Sequence, residues 1–138
     1  MDVAALKQQL ISDEGNVGHA YPDSEGYLTI GVGHMVDQRL GGKLDDDVID
    51  RQLMNDILSV ENDLMKFSWW DTLSPVRQVA LASMRFQLGP IRFRGFHQML
   101  AAIEAEDFDA AADHVMASMY AKQVPNRAKR ISDQLRKG

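Results

Sequence analysis

One stretch of this chain has strand chemistry and helical periodicity flanks it on both sides, a contrast that limits the folds open to it more than any other feature. Residues 19–34, HAYPDSEGYLTIGVGH, carry Pro-Asp-Ser-Glu-Gly turn chemistry in the middle and a β-branched, aromatic run, Tyr27 to Val32, behind it. The pattern predicts a β-hairpin whose loop spans Pro22 to Gly26. Ahead of it Val3, Leu6 and Leu10 recur at helical spacing, and Gly15 stands where a helix C-cap is expected. Behind it, residues 35–44 contain Gly41-Gly42 and little periodicity, and read as a connection. After Asp45, Asp46 and Asp47, apolar Ile49, Leu53, Ile57, Val60 and Leu64 repeat every three or four positions. A helix from about Asp45 to Lys66 is predicted, its acidic start complementing the helix dipole.

Ser74-Pro75 is an N-cap and first-turn pair, and the following VRQVALASMRFQLG is apolar around most of its circumference, which predicts a central core helix ending at Gly89. Trp69 and Trp70 read as core anchors ahead of that helix rather than as a sugar-stacking platform. Phe96, Met99, Leu100 and Ile103 give another helix, Phe108, Ala111, Ala112, Val115 and Met116 a further one, and Pro125 opens a basic last helix. The eight Met residues, Met84, Met99 and Met116 among them, read as core filler. The expected class is α+β, with a small β-hairpin lobe and a larger helical lobe joined by a long helix. At 138 residues the chain suits one domain, the hairpin lobe at about 16–44 and the helical lobe at about 67–138 together with the N-terminal helix.

Composition removes several chemistries. With no cysteine there is no disulfide, thiolate nucleophile or cysteine-ligated metal. His19, His97 and His114 have no spacing that calls for a metal, so neither metal nor cofactor is expected. No apolar run approaches the roughly 20 residues of a membrane helix, and the N-terminal MDVAALKQQLISDEG lacks the basic and apolar regions of a secretory signal. The net charge of −5 is unevenly spread: residues 119–138 carry six Lys or Arg against one Asp, the rest nine against nineteen acidic residues. Overall acidity argues against a nucleic-acid partner. The basic end keeps a nucleic-acid reading as an alternative, one that predicts affinity falling steeply with salt.

The local combination that carries chemistry is a carboxylate at a helix C-terminus, Glu14, followed nine residues later by a second, Asp23, in a tight hairpin loop. Paired carboxylates on different elements suit glycosidic-bond hydrolysis, one giving a proton to the leaving oxygen and the other activating water or attacking the sugar. Glu14 stands near the negative end of its helix and beside Asp13, and both disfavour its charged form. Glu14 is therefore read as the general acid, and Asp23, in a polar turn, as the ionised partner.

The stretch DEGNVGHAYPDSEGYLTIGVGH resembles the N-terminal signature of the phage-type, T4-lysozyme-like endolysin family of glycoside hydrolases, with the same interval from Glu to Asp to Thr. MRFQLG, Met84 to Gly89, is similar to the core-helix motif of that family, and QVPNRAKRI, Gln123 to Ile131, to its C-terminal motif. The resemblance implies that Glu14 is the acid, that Asp23 positions or activates the water, and that Thr29 helps to hold it. It implies an inverting reaction, with the two carboxyl groups about 6.5–9.5 Å apart. It further implies that Arg127 faces Glu14 and that His34 and Asp56 pair in support of the hairpin lobe. Phe86, Gln87, Gly31 and Gly33 would line the cleft, though core packing explains Phe86, and strand geometry the glycines, as simply. Tyr120 would close its base, and Ala121 replaces a neighbouring aromatic.

The activity so implied is that of an endolysin, a muramidase cleaving the β-1,4 bond between N-acetylmuramic acid and N-acetylglucosamine in peptidoglycan for host lysis and phage release. Peptidoglycan glycan strands would be the partner. Such an enzyme waits in the host cytoplasm, needs a holin-type pore to reach the periplasmic wall, and is expected to be a monomer that neither inserts stably into membranes nor binds nucleic acid. A catalytically idle wall-binding or tail-associated module is the competing class, against which the retained Glu14, Asp23 and Thr29 speak. The chain departs from better-known members in its short segment between His34 and Asp45, in ending soon after Ile131, and in its acidity.

Overall fold

The helix and the hairpin read from the first 34 residues are both present in the computed structural model, which describes residues 2–32, 34–36 and 44–138, the side chains of Leu6, Glu14 and His19 apart. The chain divides into two compact units, Met1–Gln52 and Leu53–Gly138. In the first, α1 (Val3–Glu14) starts where the Asp2 carboxylate accepts the Ala5 N–H at 3.0 Å, and it stops at Gly15, whose φ of 78° few other residues tolerate. Strands β1 (Val17–Pro22), β2 (Leu28–Gly31) and β3 (His34–Met35) form an antiparallel sheet in that order. The hairpin loop falls where its turn residues predict. Strand β3 does not follow from the sequence, because two residues are too few to show an alternation.

Thr29 sits opposite Tyr21 on one side and Met35 on the other, so the central strand carries it and it is buried. Gly31 ends β2 at φ 67°, and a Cβ built there would meet nothing within 4 Å among the described residues. Its requirement for glycine is therefore conformational rather than steric. Gly31→Ala is expected to cost the hairpin about 1–2 kcal/mol, read as faster hydrogen exchange of the β1 and β2 amides.

Helix α2 (Asp46–Leu64) begins in the first unit with Asp46 and Asp47 in its first turn, and ends in the second, where it buries Val60, Asp63 and Leu64. A short 3-10 turn, Trp70–Thr72, follows; Trp69 and Trp70 are both buried and Trp69 stacks on Phe67 at 4.7 Å, as core anchors should. The second unit continues with α3 (Pro75–Leu88), α4 (Pro90–Arg94), α5 (His97–Glu104), α6 (Phe108–Ala117), α7 (Met119–Gln123) and α8 (Pro125–Lys137). The Ser74 hydroxyl accepts the Arg77 N–H, Pro75 and Pro125 occupy first turns, and Asp107 caps α6 through the Ala110 N–H. Leu64, Leu81, Met84, Phe93, Met99, Ile103, Val115, Ile131 and Leu135 are fully enclosed where α3, α5, α6 and α8 pack.

Two expectations change. Helix α3 is not covered all round: it buries Ala80, Leu81, Met84 and Arg85, while Val79 and Phe86 are exposed, because the groove between α2 and α3 stays open. Met84 and Met99 fill the core, but Met116 lies on the outer face of α6 and is exposed. In the last helix, Lys129 pairs with Asp133 at 2.9 Å, and Arg136 with Asp109 and Asp113 of α6. Arg77 donates to the Leu135 carbonyl at 2.8 Å, placing a cation at the α8 C-terminus where the dipole favours one.

Candidate active site

At the hairpin tip the backbone of one residue, Tyr27, organises two of the residues singled out from the sequence. Asp23 accepts the backbone N–H groups of Glu25 at 2.9 Å and Tyr27 at 2.8 Å on a single carboxylate oxygen, Oδ1. Its own N–H donates to the Tyr27 carbonyl at 2.8 Å, and Gly26, at φ 88°, donates back to the Asp23 carbonyl at 3.0 Å. The Tyr27 carbonyl also accepts the Thr29 hydroxyl at 3.1 Å. Asp23 and Thr29 are therefore tied to the N–H and to the carbonyl of one residue, Tyr27. The bonds lock the Asp23 rotamer and leave Oδ2 without a partner among the described residues. They also commit the only Thr29 hydroxyl proton to the Tyr27 carbonyl, which leaves its oxygen as an acceptor. Tyr27 was not singled out; the signal for it is the Asp that opens a Gly-containing turn four residues earlier, whose side chain needs a backbone N–H to accept.

Glu14 is the last residue of α1, next to the Gly15 cap. Its side chain and the whole of Gly33 lie outside the described residues. His34 is exposed in β3, and Asp56 exposed in α2.

In the second unit Gln87 and Tyr120 come together: the phenol donates to Gln87 Oε1 at 2.9 Å. Tyr120 is buried, with Phe96 edge-on to its ring at 6.3 Å. Burial pushes its phenol pKa up, opposed by the nearby Arg127 and Arg130 guanidiniums. Arg127 is half-buried in the first turn of α8. Phe86 is not packed in the core; it is 47% exposed and lines an apolar groove of about 530 Å³ with Leu53, Ile57, Trp70 and Val79. Among the described residues no group of three or more His, Asp or Glu converges on a metal-sized space, and no helix is long and apolar enough to cross a membrane.

The buried Asp63 was also missed. Its carboxylate takes Arg85 Nε at 2.7 Å and Arg94 Nη2 at 2.6 Å, with Lys66 at 3.5 Å. The bond from Arg94, resisted by burial and reinforced by Arg85, holds its carboxyl well below the usual carboxylate range. Residues 22 and 31 positions apart meet here, which no local pattern signals.

The comparisons with known proteins agree with this arrangement of motifs. Residues 12–132 match the phage lysozyme family model. The chain is 26% identical to probable T4-type lysozyme 1 of Dictyostelium discoideum, over 94% of this chain and 92% of that protein. It is 27% identical to probable T4-type lysozyme 2 of the same organism, with the same coverage. It is also 27% identical, over 93% of its length, to 27% of the pre-baseplate central spike protein of Enterobacteria phage T4. A family match that takes in the Glu14 helix end, the Asp23–Thr29 hairpin, the α3 motif and the first half of α8 is decisive: the chain belongs to the phage lysozyme family.

Proposed function

We propose that this lysozyme is a muramidase that cleaves the β-1,4 bond between N-acetylmuramic acid and N-acetylglucosamine in peptidoglycan, with inversion, as a single catalytic domain and a monomer. The observation that carries the reading is that Asp23 and Thr29 are both anchored on Tyr27, one through its N–H and the other through its carbonyl. It leaves one carboxylate oxygen and one hydroxyl acceptor available, which is what a water needs to be held and deprotonated by the same pair.

In that mechanism Glu14 gives its proton to the glycosidic oxygen as the bond from the anomeric carbon breaks. A water bound between Asp23 Oδ2 and Thr29 Oγ1 attacks the anomeric carbon from the opposite face, and Asp23 takes its proton. Arg127 faces Glu14, Gln87 and Tyr120 close the floor of the cleft, and Phe86, Gly31 and Gly33 border the glycan. His34 and Asp56 pair to support the hairpin. In the cell the enzyme acts on the periplasmic wall after release from the host cytoplasm through a holin-type pore. The match to a T4 spike protein favours, as a second reading, the same hydrolysis in a tail-associated setting.

Anomer-resolved NMR of the first products tests the mechanism: the α-anomer appears first if the reaction inverts, whereas a β-anomer product overturns it. Thr29→Val keeps the shape and β-propensity but removes the acceptor, and is expected to lower kcat up to about a hundredfold. Thr29→Ser, which restores the oxygen, should recover most of it.

A further inference from the structure

Helix α2 presents a second built feature, away from the hairpin carboxylates in sequence and complete within residues 53–138. Asn55, Ser59, Asn62, Asp63, Lys66 and Arg85 line a pocket of about 660 Å³. Three cations, Arg85, Arg94 and Lys66, meet the one carboxylate of Asp63, so two positive charges are left over. Arg85 is 8% exposed and bonds Asp63 through Nε. Among the described residues nothing accepts from its two terminal Nη nitrogens and no buried side-chain nitrogen or oxygen is left unsatisfied, so neither Nη is sealed from solvent, and Arg85 lines the pocket. A buried guanidinium with an open fork, beside an ammonium and two side-chain amides, has the donor set that recognises a planar or tetrahedral oxyanion.

We propose that this pocket is an oxyanion-binding site, taking a carboxylate or a phosphate on the Arg85 fork, with Lys66 and the Asn62 amide as additional donors. Asp63 is its positioning residue: it fixes Arg85 through Nε and turns the remaining donors outward, while Arg94 and Lys66 offset its charge. The site needs nothing from Glu14, Asp23 or Thr29, so it stands or falls separately from the muramidase reading.

The test is NMR on the ¹⁵N-labelled full chain, following the Arg85 Nε–Hε and Asn62 amide signals while sodium acetate or sodium phosphate is added against sodium chloride at equal ionic strength. Saturable shifts with at least one oxyanion, absent with chloride, are expected. Acetate alone identifies a carboxylate ligand, phosphate alone a phosphate. Arg85→Lys keeps a charge beside Asp63 but removes the fork, and should weaken binding about tenfold or more. Lys66→Met, at an exposed position, should weaken it about two- to fivefold and folds whatever the fate of the Arg85 variant. Shifts that never saturate, that chloride reproduces, or that Lys66→Met leaves unchanged overturn the site.

Discussion

Glu14→Gln is expected to lower lysis of permeabilised cells or isolated walls by about 10²–10⁴-fold, the usual contribution of a general acid. The substitution keeps the length and the hydrogen-bonding shape of the side chain and removes the one proton that the leaving oxygen needs. Stability should hold or rise slightly, because α1 ends at Gly15 and an uncharged residue suits the negative end of a helix better than a carboxylate does. Turbidity clearing and a urea melt on the same preparation check both halves. Undiminished clearing by a folded variant would exclude Glu14 as the acid, and a variant that loses activity and stability together would make it a structural residue instead.

The largest expected stability effect lies elsewhere, at Asp63→Asn. Removing the carboxylate leaves Arg85 buried and uncompensated and takes two strong bonds from Arg94, for a cost of about 3–5 kcal/mol. The pH dependence has a definite sign. The folded state holds the Asp63 carboxyl below its ordinary value of 3.8, so the stabilisation is complete above that pH and is lost as the pH falls through the folded value. Urea midpoints of the parent and the variant should therefore be widely separated at neutral pH, begin to approach one another below about pH 4, and converge only in strong acid. A separation that persists unchanged into strong acid would show that shape rather than charge at residue 63 carries the effect.

How far each feature could be read in advance follows from the distance over which its chemistry acts. The hairpin tip was legible because Asp23, Gly26 and Tyr27 bond within a loop, and the helix ends at Gly15, Ser74 and Gly89 were legible for the same reason. Helices α4 and α7, of five residues each, span little more than one turn and show no repeat to find. Strand β3 is shorter still. The apolar stripe of α2 was visible as a pattern, but Leu53 and Ile57 turn out to border an open groove with Phe86, since a pattern names a face and not what covers it. For the same reason Met116 could not be separated from Met84 and Met99 by residue type.

Turn residues, caps and motif spacing were enough to settle an α+β chain of the phage lysozyme family with Glu14, Asp23 and Thr29 as its candidate chemistry, because those signals lie within a few residues of where they act. The folded chain alone decided that Asp23 and Thr29 are both anchored on the backbone of Tyr27 with one acceptor each to spare, and which oxygen of Asp23 stays available. It alone brought Arg85 and Arg94 to Asp63, and Tyr120 to Gln87, across sequence separations of 22 to 33. A hydrogen bond depends on an ångström-scale approach of two groups. Between residues that far apart, only the path of the backbone through the core sets that approach.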